Sequence, residues 1–159
     1  MQLIRRFVLL VSLMFWQGGF MFYGGVVVPV GGRILGSETK QGFITQSVTN
    51  YLNLAGLVCL LIWVEHLWHE RKRGVTRIEW GLLICLGLSL GMLAGIHWNM
   101  DQTLDSRSAS VVDPARFDLS HKMYIGISSL QWLAGLLLLL LTIRRWDSPL
   151  AQSTTQQRA

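Results

Sequence analysis

Apolar residues dominate four stretches of the chain, 7–30, 43–68, 80–98 and 121–143. Each approaches or exceeds the roughly 20 residues that carry a helix across the hydrocarbon core of a bilayer. This pattern predicts an all-α, integral membrane four-helix bundle in one domain, residues 1–146, followed by a tail at 147–159. The tail, "DSPLAQSTTQQRA", has the polar composition of disordered chain. The Arg5-Arg6 pair ahead of an apolar run resembles a secretion signal. That run, however, continues to Val30 without a small-residue cleavage site, so it is expected to stay as the first span. Short links, "GGRILGSETKQG" and "HERKRGVTRIE", make neighbouring helices antiparallel. The segment "NMDQTLDSRSASVVDPARFDLS" reads as a long loop of about twenty residues, a length usually functional or mobile.

Polar residues within the apolar stretches fall at helical spacing. The second stretch carries Gln46, Asn50 and Asn53 on one face, and the fourth carries His121, Tyr124, Ser128 and Gln131. His97, Asn99 and Asp101 close the third stretch, and Gln17 lies inside the first. Because unpaired polar groups are costly in hydrocarbon, these residues are expected to turn inward. There they either bond one another as helix glue or line an outward-opening pocket made of Gln17, Gln46, Asn50, Asn53, Tyr124, Ser128 and Gln131. His97 and His121, from different helices at one level, are candidate ligands for a metal ion or haem. His66 and His69, beside the charges of "VEHLWHERKR", read as a solvated helix end. Glu65 is expected to pair with Arg71 or Arg144, or to take part in proton movement.

Glycines add a second kind of pattern. Gly87, Gly91 and Gly95 recur every four residues, and Gly18, Gly19, Gly24 and Gly25 thin the first span. Small residues let helix backbones approach closely in lipid, so both sets are expected to be packing faces. Pro29 is expected to kink or end its span. Cys59 and Cys85, with no CxxC pattern, read as small buried hydrophobes.

Charge sets the expected orientation. With both termini in the cytoplasm, nine Lys and Arg lie inside and five outside, so the net charge of +5 gathers at the cytoplasmic end. A basic balance of this kind points to anionic lipid rather than nucleic acid. Trp68, Trp80 and Trp146 fall at the inner boundary and Trp98 at the outer one, as amphipathic rings do. The location implied is the bacterial cytoplasmic membrane. No nucleotide-binding, serine-hydrolase or HExxH pattern is present in the sequence, which leaves soluble enzyme chemistry without a motif.

The stretches "FWQGGFMFYGGVVVPVGGRILGS", "QGFITQSVTNYLNLAG" and "HKMYIGISSLQWLAGLL" resemble a family of small four-helix membrane proteins classed as a domain of unknown function. Its animal members are the transmembrane proteins associated with cisplatin resistance. The resemblance rests on Trp16, Gly18, Gly19, Val28 and Pro29 in the first span and on His121 and Gly126 in the last. It implies the four-span fold and no particular chemistry. Three functions remain open on the residues: a non-enzymatic protein whose pocket binds or helps pass a small solute or metal ion, a haem-holding redox subunit, and an assembly subunit. The last would dock a second copy or another membrane subunit on its glycine faces.

Overall fold

The computed structural model describes residues 1–105 and 110–147. Helix α1 (Gln2–Phe22) passes through one π turn (Tyr23–Val27) into α2 (Val28–Leu35). Helix α3 (Glu38–Glu70) ends in a 3₁₀ turn (Arg71–Arg73), and α4 (Arg77–Asp101) follows. A two-residue antiparallel ladder, β1 (Leu104–Asp105) with β2 (Ser110–Val111), precedes α5 (Pro114–Trp146). Gln2–Leu35, Lys40–Arg73, Arg77–Asp101 and Pro114–Trp146 are each long and apolar enough to cross a membrane, so the chain has the architecture of an integral membrane protein. The expected tail lies outside the described residues beyond Asp147, as do Arg107 and Arg158.

The helices outrun the expected spans, because their polar ends reach beyond the hydrocarbon and carry no apolar signal. The long loop shrinks accordingly: α5 begins at Pro114, with Asp113 as its N-cap accepting from the Arg116 amide at 3.1 Å. Pro29 does not end its span either. Its ring would crowd the carbonyl four residues back, at Gly25, and that residue lies in the π turn, whose wider coil relieves the clash. The true stop is Gly36, in the left-handed conformation at φ 59°. The α3–α4 turn closes on Gly74 (φ 85°) and a capping box, in which Thr76 Oγ1 accepts from the Glu79 amide and Glu79 Oε2 from the Thr76 amide.

Helices α4 and α5 each turn one seam inward at alternating steps of three and four. On α4 the buried positions are Glu79, Leu83, Leu86, Leu90, Leu93 and His97; on α5 they include Ser128, Gln131, Gly135, Leu138, Thr142 and Arg145. This is the spacing of left-handed helix pairs crossing at a shallow angle. Leu9, Leu13, Trp16, Cys59, Leu60, Trp63, Leu67, Leu83, Leu86, Leu90 and Leu138 form the apolar core. Helices pack in the order α1, α3, α4, α5, and α1 meets α5 more loosely.

The glycine expectation is corrected by this seam. Gly87 and Gly91 sit one residue past the inward Leu86 and Leu90, so they and Gly95 are exposed, and a Cβ on any of them would touch nothing within 4 Å. Gly18, Gly24 and Gly25 are open in the same way, and Gly19 makes only an ordinary contact with Leu52. The close approaches occur elsewhere. A Cβ on Gly56 would lie 2.7 Å from the Trp16 ring, and one on Gly135 would lie 2.7 Å from Gln17 Nε2. Cys59 is buried as expected, whereas Cys85 faces outward.

Candidate functional site: a cavity between α3 and α4

Near the end of the bundle away from the termini, Asn50 and Asn53 of α3 face Ala94, His97, Trp98 and Asp101 of α4 across a cavity of about 260 Å³. Its lining follows from helical spacing, since 50 and 53 share a face of α3, as do 94, 97, 98 and 101 on α4. Asn50 and Trp98 are exposed, so the cavity opens on the flank of the bundle. His97 forms its buried wall at 7% exposure. Its Nε2 has no hydrogen-bond partner among the described residues and lies 3.7 Å from Asp101 Oδ1. That carboxylate oxygen accepts from Gln46 Nε2 at 2.8 Å. Behind the wall, the Tyr124 hydroxyl donates to Asn53 Oδ1 at 3.2 Å, and its ring lies 6.4 Å from that of His97.

Of the residues expected to line a pocket, Asn50 and Asn53 do so, and His97, expected as a ligand, lines the same cavity. Gln46 and Tyr124 stand one layer back, each bonded to a lining side chain. The two expected polar stripes do not face each other across open space. Ser128 Oγ donates to its own helix at the Tyr124 carbonyl, and Gln131 Nε2 donates to Ser89 Oγ at 3.0 Å and to the Leu86 carbonyl at 3.3 Å. The two Gln131 bonds join α5 to α4, which is the helix-glue role. Gln17 is buried deeper, against Gly135.

His121 does not join His97. It is exposed, with its ring stacked on Phe117 at 6.0 Å, whereas His97 is buried toward Tyr124. A haem held between the two imidazoles does not fit this arrangement. The cavity itself falls below the 300–1,000 Å³ that drug-sized ligands occupy. Among the described residues no three His, Cys, Asp or Glu side chains are grouped to hold a metal ion. His97 and Asp101 therefore offer two such donors, and Asn50 and Asn53 add amide groups.

A second polar cluster lies at the opposite end of the bundle, where Met1 and Asp147 are found. Arg145, on α5, donates from Nε to Glu79 Oε1 at 3.0 Å and also to Glu70 Oε2, with all three side chains buried. His66 is buried here at 2% exposure rather than solvated. Its Nε2 is 3.5 Å from Glu70 Oε2, and its ring meets the edge of Trp146 at 5.5 Å. The correction follows from register, because His66 lies between the inward Trp63 and Glu70 on α3. Glu65 pairs with Arg5 at 3.4 Å and His69 at 3.1 Å instead of Arg71 or Arg144. Two signals in the sequence point to this cluster: the T-x-x-E spacing of Thr76 and Glu79, and the steps of three and four that lead from Gln131 to Arg145.

No family model matches the chain, and no curated protein or solved structure matches it either.

Proposed function

We propose that this is a non-enzymatic multi-pass membrane protein whose flank cavity, opening on the extracytoplasmic side of a bacterial cytoplasmic membrane, binds or helps pass a small solute or metal ion. The resemblance to small four-helix membrane proteins belongs to the same reading. The observation that carries it is His97 Nε2: a buried imidazole nitrogen with no hydrogen-bond partner among the described residues, 3.7 Å from a carboxylate oxygen, on the wall of a cavity. Buried polar atoms normally have a partner, and an exception calls for one. A small hydrogen-bonding solute would supply it. So would a metal ion, since imidazole nitrogen and carboxylate oxygen are both ligands for zinc at bond lengths of about 2.0–2.2 Å.

The test is titration of the purified protein with zinc and with a panel of small polar solutes, following binding heat and thermal stability. Binding by the parent, lost in His97→Ala and in Asp101→Asn, is the expected result. The loss of one donor from so small a set should weaken binding by at least about tenfold. A protein that binds none of these probes, or that binds them equally after both substitutions, overturns the proposal.

A further inference from the structure

The ion cluster between α1, α3 and α5 is unevenly satisfied. Glu70 Oε2 is taken by Arg145, while Oε1 is approached by three donors, none of them closely. Arg6 and Arg73 each stand 3.9 Å away, and Gln2 Nε2 is at 3.4 Å. Charge-assisted hydrogen bonds measure about 2.7–2.9 Å, so the two arginines meet this carboxylate only as distant charges. Arg6 Nε is buried with no hydrogen-bond partner among the described residues. Its guanidinium lies 4.6 Å over the Trp146 ring, a contact that fixes its plane without using its donors. The Arg6 and Arg73 side chains are 26% and 22% exposed, so an outside group can reach them. Arg6, Arg73 and Arg145 are matched in number by Glu70, Glu79 and Asp147, whose charge also acts on Arg6; the positive excess belongs to the surrounding surface, where Arg5, Arg71, Lys72, Arg77 and Arg144 outnumber Glu65.

The position of Arg6 and Arg73, within a basic surface, identifies what would use their donors. Trp68, Trp80 and Trp146 gather at this end of the helices, the level at which tryptophan meets lipid headgroups. One turn deeper on the same faces as Arg6 and Trp146 are Leu10, partly exposed, and Ile143, exposed, which present apolar surface where acyl chains run. The loose seam between α1 and α5 lies between them. We propose that Arg6, Arg73 and the Trp146 ring form a headgroup site for one anionic phospholipid. Its phosphate oxygens accept from the arginine donors that Glu70 leaves unused.

The experiment uses the full chain in neutral detergent, with native mass spectrometry counting retained lipid and thermal unfolding as a second readout. Phosphatidylglycerol should be retained as a single molecule and should raise the unfolding temperature, whereas phosphatidylcholine should do neither. Arg6→Gln/Arg73→Gln should weaken phosphatidylglycerol binding on the order of thirtyfold, the equivalent of about 1 kcal/mol for each basic contact. Arg71→Gln/Lys72→Gln removes the same formal charge at exposed positions and should leave binding near that of the parent. Equal loss in the two double variants would reduce the effect to general surface charge and overturn the site. Equal retention of phosphatidylcholine would also overturn it. Inorganic phosphate reproducing the full stabilisation would show a free-anion site and overturn the lipid. Should Arg6→Gln/Arg73→Gln lose its helical signal, Arg73→Gln alone decides: unchanged retention rejects the proposal.

Discussion

Gly56 and Gly91 look alike in the sequence, each a glycine in an apolar run, but their surroundings differ. A methyl group on Gly56 would strike the buried Trp16 ring at 2.7 Å, while one on Gly91 would meet nothing within 4 Å. Gly56→Ala should therefore destabilise the protein in detergent by about 1–3 kcal/mol, the usual range for forcing extra volume into a packed core. Gly91→Ala should be neutral or slightly stabilising, because alanine is the better helix former. Paired melting curves check this, and a larger loss at Gly91 would mean that its face is covered. The three-glycine repeat is conspicuous in the sequence, but a repeat does not reveal its phase relative to the partner helix. Asn50, Asn53 and His97 were recoverable because polar groups in an apolar stretch must turn inward. The failure of His121 to join them was not recoverable, since the stacking partner that holds it outside, Phe117, lies in a stretch that reads as loop.

Among the elements, the turn from α3 to α4 does two jobs through one side chain. Glu79 Oε2 closes the capping box with Thr76, and Glu79 Oε1 accepts from Arg145 on α5. Thr76→Ala removes the cap, together with the hydroxyl's 3.1 Å bond to Glu79 Oε2, and should cost about 0.5–2 kcal/mol. Glu79→Gln keeps an acceptor for the cap but strips the charge facing a buried arginine, and breaking a buried pair from one side costs about 3–5 kcal/mol. Denaturation of the two variants side by side should rank Glu79→Gln as the more damaging, and the reverse order would mean that Glu70 alone satisfies Arg145. The four helices were legible from apolar runs, and their ends were not. Hydropathy falls silent where a helix leaves the hydrocarbon, and the Asp113-Pro114 start of α5 is a local capping signal inside what reads as a polar loop. The π turn ahead of Pro29 is a tertiary accommodation with no apolar signature.

For the whole molecule, the distribution of charge makes a prediction about sidedness. The orientation expected from the basic excess, with both termini in the cytoplasm, predicts that Val112, 70% exposed just before α5, faces the opposite compartment from Asp147 at its C-terminal end. Single cysteines at these positions, in a background with Cys59 and Cys85 replaced by alanine, should react with an impermeant maleimide from opposite sides of sealed vesicles. Position 112 should label from outside. Labelling of both from one side would overturn the four-span arrangement, and labelling of 147 from outside would invert it.

The apolar core between the cavity and the ion cluster also has an electrical meaning. From Asn53 at the cavity to His66 at the cluster is thirteen residues of α3, or about 20 Å of helix, against about 30 Å for a plain hydrocarbon slab. Were water to fill the cavity and reach the cluster, the leucines between them would be the insulating layer. A membrane voltage would then fall mainly across those 20 Å, with a gradient about half as steep again as in the surrounding lipid. Any charge crossing that layer would do nearly the full electrical work, about 2.3 kcal/mol per 100 mV, over two-thirds of the distance. The bundle would in that case act as a thinned dielectric.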